Sequence, residues 1–268
     1  KQIGMIKFFR KIRQNMIKEN RVSKYMLYAI GEIVLVVVGI LIALQINNWN
    51  ENKKERHEEF LALKSLHSEF IESRTLFNES QRHNKIIFNG MKYLLKILDE
   101  NQINESLVDS IYFHLDKSAW SSGTFEPSRG IINSLINSGK QNIISNDSLK
   151  SLLIQWNDQV IDFQNTQRLA QDYKFTYLFP LISRLTKLPS KLKRLDPGYD
   201  WSNVSPSEVD LSLLQSKMFY NYLNQCWVYS RSILVEDTRI SQGKEIQEAL
   251  DNIIFLIENE IEQRKVYD

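Results

Sequence analysis

The residues that most often carry chemistry are sparse in this sequence of 268 residues and lie far apart. Its histidines stand at positions 57, 67, 83 and 114, and none follows another at the spacing that places two metal ligands on one helix face. A His-Glu pair begins at His57, but Leu61 stands where a zinc-protease motif needs its second histidine. We therefore interpret the histidines as solvated or packed side chains and predict no metal site.

The single cysteine, Cys226, excludes an intramolecular disulfide and any metal site built from several thiolates. It lies in an apolar helical pattern without a nearby histidine, so we interpret it as a core residue rather than a nucleophile. Carboxylates such as Glu58, Glu59 and Glu260 lie in charged stretches, which favours solvated helix faces. No phosphate-binding loop, dinucleotide-binding fingerprint or serine-hydrolase motif occurs. The sequence predicts no cofactor and no enzyme, except through residues that converge from distant helices.

The most unusual functional group is a carboxylate beside a long apolar segment. From Ile33 to Leu44, 12 consecutive residues are apolar or glycine, and Glu32 directly precedes them. A helix needs roughly 20 residues to cross a bilayer, so a span must extend from Tyr25 to Ile46 and include Glu32. An ionised carboxylate costs about 2.5–3.5 kcal/mol at the centre of such a helix and less towards its end.

Helical spacing assigns this acid to a face of the span. One stripe carries Glu32, Val36, Gly39 and Ala43. Gly39 and Ala43 form a small-xxx-small pair, which permits the close approach of a second helix. Two interpretations stay open: Glu32 reaches the headgroups near Tyr28 and Lys24, or it faces a partner helix or a polar cavity. The small residues on its stripe favour helix–helix contact.

The charge distribution predicts how the span is oriented. Residues 1–24 carry eight basic residues and one acidic residue, whereas residues 51–268 carry 26 basic and 30 acidic residues. Because basic residues stay on the cytoplasmic side, we predict a cytoplasmic N-terminus and a C-terminal part on the opposite side of the membrane. In a bacterium, the span would lie in the inner membrane and the C-terminal part in the periplasm. No cleavage site follows the span, so it is interpreted as a signal anchor. At the lipid headgroups we expect the basic residues Arg10, Lys11, Arg13, Arg21 and Lys24. At the two membrane interfaces we expect the aromatic residues Tyr25, Tyr28 and Trp49. This placement favours lipid over nucleic acid as the partner of the basic segment.

Residues 47–268 follow a helical pattern. Apolar residues recur three to four positions apart, and no strand-like alternation exceeds four residues. We predict an all-α protein in which a basic segment (1–24) precedes a transmembrane helix (25–46), which continues into an extracytoplasmic antiparallel helical bundle (47–268).

A short helix should end at Gly139, and Asn146 or Asp147 should cap the helix that follows. That helix starts at Ser148 and should be kinked or interrupted at Pro180. One last helix, capped by Ser205, should run from about residue 206 to 264, with Gly243 as the point where it could divide.

One loop is the first choice for a contact site outside the membrane. Residues 118–130 contain the helix breakers Ser, Gly and Pro together with Trp120, Phe125 and Arg129. Exposed aromatic and arginine side chains are typical of recognition sites. The alternative is that Trp120 and Phe125 close the end of the bundle.

Parts of the sequence resemble a family of uncharacterised single-pass bacterial membrane proteins. The resemblance is carried by MIKFFRKIRQNMI (5–17) and KYMLYAIGEIVLVVVGILIALQINNWNE (24–51), and more weakly by SRGIINSLINSGKQNIISNDSLKSLL (128–153). It implies membrane anchoring and no particular activity. The chain departs from the family pattern in starting four residues before Met5.

Together these patterns favour a non-enzymatic, membrane-anchored helical module that forms a homo-oligomer or joins a larger envelope complex. A periplasmic sensor for a small ligand is a second hypothesis, although the short basic segment leaves no room for an output domain. A third is a subunit that uses Glu32 in ion or proton movement, which would require oligomerisation or a partner.

Overall fold

A computed structural model describes residues 22–101, 103–120, 123–185, 210–236 and 241–265. Side chains within these ranges are described except at positions 22–25, 105, 109, 119, 120 and 265. The described residues form helices, turns and loops, with no β-strand among them. The predicted all-α class is confirmed for this part of the chain.

Eight α-helices occur in the described ranges. They are α1 (Val22–Asp99), α2 (Val108–Trp120), α3 (Gly130–Asn137), α4 (Asp147–Tyr173), α5 (Phe179–Leu185), α6 (Leu211–Leu214), α7 (Lys217–Ile233) and α8 (Gln242–Lys265). Short 3₁₀ helices span Glu105–Leu107 and Lys140–Ile143, and a π-helix spans Lys174–Leu178. The chain divides into two compact units, residues 1–58 and residues 59–268.

Helix α1 is continuous over 78 residues. Neither proline nor glycine interrupts the sequence between Ala43 and Asn89, so every residue there can donate and accept helical hydrogen bonds. The predicted continuation of the apolar helix beyond residue 46 is confirmed. The boundary at the membrane surface, between residues 46 and 47, stays a prediction.

In the first unit, α1 carries the apolar segment. Residues 33–44 are all exposed. Among the described residues, this is the one helix long and apolar enough to cross a membrane, as judged by its length and composition, and none of its most apolar stretch is buried. The long apolar helix near the N-terminus is therefore a candidate membrane anchor.

The second unit contains two apolar clusters. The first is formed mainly by α1, α4 and α8 and includes Phe70, Phe77, Trp156, Phe163 and Ile253. Its aromatic rings pack at tilted and edge-to-face angles, with Phe70 and Trp156 centred 5.3 Å apart. Such pairs add to the stabilisation gained from apolar burial.

The second cluster is formed by α1, α2, α5, α6 and α7 together with the π-helix. It includes Met91, Ile111, Leu178, Phe219 and Cys226. Cys226 is a free thiol with 2% of its surface exposed, as expected of a core residue. Helices α1 and α7 contribute to both clusters, because each extends past one cluster into the other.

Pro180 changes the geometry of the helix that contains it. A proline ring collides with the carbonyl of the residue four positions earlier, and proline has no N–H to donate. The helix adapts by widening into the π-helix Lys174–Leu178 directly before α5 begins. The predicted interruption occurs, but as a widened turn rather than as a break.

The prediction of one last helix was wrong. Helix α6 is capped by Asp210, whose Oδ1 accepts from the amides of Ser212 and Leu213, and α7 and α8 are separate elements. Gly243 lies within α8 and not between the helices, and a Cβ atom there would collide with the carbonyl of Ile233. The close crossing of the end of α7 and the start of α8 therefore requires glycine. The predicted helix start at Ser205 lies outside the described residues.

The structure agrees with the sequence at two helix ends. Gly139 follows α3 with φ of 69°, the left-handed conformation that commonly ends helices. Of the two candidate caps for α4, Asn146 occupies the position, since its Oδ1 accepts from the amide of Leu149 at 3.0 Å.

Candidate functional site

The predicted stripe lies on α1 of the first unit. Glu32, Val36, Gly39 and Ala43 are all exposed. A Cβ atom built on Gly39 or on Gly31 would have no neighbour within 4 Å. These four positions are therefore exposed within this one chain, as are the residues beside them.

The predicted anchoring residues are described only in part. Arg10, Lys11, Arg13 and Arg21 lie outside the described residues, and the side chains of Lys24 and Tyr25 are not described. Tyr28 is partly exposed and Trp49 is 64% exposed. The Nζ of Lys53 lies 5.8 Å from the Trp49 ring centroid, so this ring has a cation on one face.

The loop proposed as a contact site is held by hydrogen bonds from buried side chains of α1 and α4. The carbonyl oxygen of Gly123 accepts hydrogen bonds from Ser80 Oγ at 2.8 Å, Asn84 Nδ2 at 2.7 Å and Gln167 Nε2 at 2.8 Å. A Cβ atom on residue 123 would lie 2.6 Å from the Ser80 carbonyl oxygen. Glycine is therefore required where this loop meets α1.

Phe125 does not lie at a contact surface. It is 0% exposed and packs edge-to-face against Phe77 at a centroid distance of 5.3 Å. Phe125 is therefore a buried ring of the first apolar cluster and not an exposed recognition residue. Arg129 is partly exposed and directly precedes α3, and the side chain of Trp120 is not described, so a contact role for these two stays a prediction.

Glu69 holds the start of α3. Its carboxylate accepts from the amides of Ile131 at 2.7 Å and Ile132 at 3.3 Å, and only 8% of the residue is exposed. The side chain of Arg129, at the N-cap position, makes no capping hydrogen bond. The Glu69 carboxylate, on α1, thus accepts the hydrogen bonds that the side chain of an N-cap residue would normally accept. The dipole of α3 also favours a negative charge at this end of the helix.

Glu59 was wrongly interpreted as part of a solvated face. It is 4% exposed, and its carboxylate contacts Arg264 at 2.8 Å and accepts from the amide and hydroxyl of Ser145, each at 2.7 Å. Burial alone would raise the pKa of Glu59, but the hydrogen bonds from Arg264 and Ser145 outweigh it and hold the pKa below its ordinary value. The sequence did not reveal this pair, because its partners are far apart in the chain.

A layer of buried polar side chains separates the two apolar clusters. This polar layer consists of Ser80, Asn84, Gln167 and Lys174. Along α1 the first two lie between Phe77 of the first cluster and Ile87 of the second. Along α4 and the π-helix, Gln167 and Lys174 lie between the buried Phe163 of the first cluster and Leu178 of the second. Sequence reasoning missed this layer, although Gln167 and Lys174 continue the apolar stripe of α4 at helical spacing.

Lys174 borders a small interior cavity. The cavity has a volume of about 30 Å³ and is also lined by Asn84, Gln167, Cys226 and Ser230. Burial lowers the pKa of Lys174 to about 8, although the nearby thiol partly opposes the shift. Burial raises the pKa of the Cys226 thiol to about 12, so the thiol stays protonated near neutral pH and is a poor nucleophile.

The size of this cavity decides what it can do. A water molecule needs at least about 10–15 Å³ of such space, so the cavity accommodates one or two waters. An amine with a lowered pKa suits proton transfer or imine formation in enzymes, but a substrate does not fit here. The arrangement is best explained as a hydrated interior of the fold.

The histidines are dispersed in the structure as they are in the sequence. His67 Nε2 lies 3.0 Å from Glu258, His83 bonds to the carbonyl of Glu79, and the His114 ring packs at a tilt against Tyr93. Among the described residues, no three side chains of His, Cys, Asp or Glu are grouped as they would be around a metal ion.

Comparison with known proteins gives one match. Residues 32–160 match the model of a family of unknown function, DUF6090. No curated protein and no solved structure matches the chain. The matched region contains most of the apolar helix, Glu59, Glu69 and the anchored loop, whereas Gln167, Lys174 and Cys226 lie beyond it.

Proposed function

We propose that this chain is a non-enzymatic, membrane-anchored helical module that assembles with itself or as an accessory subunit of a larger envelope complex. The observation that carries the proposal is the apolar segment of α1, in which all of residues 33–44 are exposed. Apolar surface of that extent is unfavourable in water and favourable in hydrocarbon. The lipid bilayer is therefore the environment that this helix fits.

In this proposal the N-terminus is cytoplasmic and residues 47–268 are periplasmic. The support is the basic excess before the span, which follows the positive-inside rule. We further propose that the helices of the second unit form an antiparallel bundle. Helix α4 contacts both α8 and α7, and short connections between long helices favour antiparallel neighbours.

Assembly is proposed to use the stripe of Glu32, Val36, Gly39 and Ala43. Glycine and alanine four residues apart allow two helix backbones to approach closely. A carboxylate at this depth is less costly when it faces a partner helix than when it faces lipid. The same stripe would serve a homo-oligomer or a contact with another membrane protein.

The test is chemical crosslinking of the full-length chain in native membranes. Gly39→Leu and Glu32→Gln should each reduce the crosslinked oligomer or complex, because one blocks close approach and the other removes the charge. Gly31→Leu is the matched control, since it adds the same bulk to an exposed glycine that lies off the stripe. The proposal is wrong if both stripe variants give the wild-type distribution of crosslinked species.

A further inference from the structure

A groove of about 300 Å³ lies on the second unit between α4 and the loop that follows Gly123. It is tenfold larger than the cavity beside Lys174. Its volume falls at the lower end of small-molecule sites, about 300–1,000 Å³. The groove can therefore accept an organic molecule, whereas the interior cavity accepts only water.

The lining of the groove combines polar groups with apolar surface, including Ile161, and carries both signs of charge. Amide side chains come from α4, with Gln164, Asn165 and Gln171 among them, and the charged residues are Glu126 and Arg168. A ligand that matches this lining must make several hydrogen bonds. It must also offer a negative group to Arg168 and a positive group to Glu126.

The two charged groups are held by neutral amides. Glu126 Oε2 accepts from Gln164 Nε2 at 3.0 Å, and the Arg168 guanidinium donates to Asn165 Oδ1 at 3.1 Å. Both residues are exposed, so each has further hydrogen-bonding capacity on the solvent side. A carboxylate can accept about four hydrogen bonds, and a guanidinium can donate five.

The wall of the groove is fixed without a ligand. Gln164 Nε2 also donates to the carbonyl of Phe125 at 3.0 Å. The buried Gln167 accepts from the amide of Phe125 at 3.0 Å and donates to Gly123. These bonds hold both polar groups of the Phe125 backbone against α4. A ligand would therefore not have to order this segment, which lowers the cost of binding.

We propose that this groove binds a small zwitterion, a molecule with one carboxylate and one ammonium group such as an amino acid or a dipeptide. Arg168 binds the carboxylate through paired N–H groups, the geometry that guanidinium favours. Glu126 accepts hydrogen bonds from the ammonium group, and the amides of α4 bind the remaining polar atoms. A ligand of single charge would leave one charge of the groove unmatched. This binding is independent of the membrane assembly proposed above.

The experiment is calorimetric titration of the full-length protein in detergent micelles. The probes are individual amino acids and glycylglycine, titrated to about 10 mM so that a Kd near 1 mM is detected. At least one probe should bind saturably. Its N-acetylated derivative and its amide, each lacking one charge, should bind about tenfold more weakly or worse. The absence of saturable binding by every probe would overturn the proposal.

Two charge-removing variants locate the site. Arg168→Gln and Glu126→Gln should each weaken the bound probe about tenfold, with an unchanged unfolding temperature to show that the fold is intact. Arg184→Gln is the control, because it removes an exposed arginine of α5 that does not line the groove. Unchanged affinity in both groove variants would place the ligand elsewhere. Loss in Arg168→Gln alone, with acetate as an equal competitor, would show a simple anion site and refute the zwitterion.

Discussion

Glu59 and Arg264 form a 2.8 Å ion pair that joins the start of the second unit to the end of α8. The side chains are 5% and 21% exposed. Arg264 also contacts Glu260, which in turn accepts from the Asn146 side chain at 2.8 Å. The pair is thus part of a network that holds α1, α8 and the start of α4 together.

Glu59→Gln should destabilise the protein by about 2–3 kcal/mol at pH 7. Breaking a fully buried pair costs about 3–5 kcal/mol, and the partial exposure of Arg264 reduces that cost. The folded-state pKa of Glu59 lies below its unfolded value of 4.5. The stabilisation is therefore complete above pH 4.5 and is lost as pH falls through the folded pKa.

Urea unfolding of the full-length chain between pH 3 and pH 7 measures this difference. The gap in unfolding free energy between wild type and Glu59→Gln should shrink below pH 4.5. Glu58→Gln, a change in the neighbouring exposed carboxylate, should stay within about 0.5 kcal/mol of wild type. A constant gap across the pH range would show that the Glu59 charge does not stabilise the fold.

Lys174→Met should stabilise the protein at pH 7 by up to about 3 kcal/mol. The pKa of Lys174 is about 8 in the fold and 10.5 in the reference state. Between these values the unfolded chain binds more protons, so wild-type stability contributed by Lys174 rises with pH across that window. The advantage of the methionine variant should be full below pH 8 and vanish near pH 10.5.

The pH dependence of the methionine variant must be compared with that of wild type, because titration of Cys226 changes the unfolding free energy in the opposite direction. Its pKa is raised to about 12 in the fold, mainly by burial and despite the opposing charge of Lys174, and this removes stability above pH 9 in both proteins. Lys92→Met, at an exposed position of α1, is the control for loss of a lysine. An equal effect of the two substitutions on the unfolding free energy at pH 7 and pH 10 would contradict the account of Lys174.

Gly123→Ala should destabilise the protein by about 1–3 kcal/mol, the usual cost of forcing an extra group into a packed site. The added methyl would meet the Ser80 carbonyl at 2.6 Å, and backbone atoms cannot give way easily. Gly130→Ala is the matched control, because the nearest atoms to its Cβ lie at 3.8 and 3.9 Å. Thermal unfolding of both variants checks the prediction. Equal unfolding temperatures for the two variants would contradict it.

The role of the loop at residues 118–130 can be tested by substituting Phe125 and Arg129, the two candidate contact residues whose side chains are described. Phe125→Ala should cost about 3–5 kcal/mol of stability, since it empties a fully buried position. Arg129→Ala should leave the unfolding free energy within about 0.5 kcal/mol. If Arg129→Ala alone disrupts a co-purifying complex, the loop is a contact site through the arginine. A small effect of Phe125→Ala on stability would contradict the packing described for the ring.

The sequence predicted the helical class, the continuity of α1 and the end of α3 at Gly139, and it narrowed the cap of α4 to Asn146 or Asp147. These features depend on local rules, namely apolar periodicity and residue types with strong backbone preferences. The interior partners of Glu59, Glu69 and Gly123 could not be predicted. Each lies many residues away, so no local spacing reveals it. The groove beside Arg168 was missed for the same reason.

The polar layer between the two apolar clusters also determines the register of the helices. If α4 slid along α1 by one turn, about 5.4 Å, Gln167 would leave the Gly123 carbonyl and face apolar side chains. The slip would also separate the packed rings of Phe70 on α1 and Trp156 on α4. The unpaired buried amide would add a cost of about 1–3 kcal/mol. The layer therefore gives the two helices one alignment, in the way that a single polar residue fixes the alignment of a coiled coil.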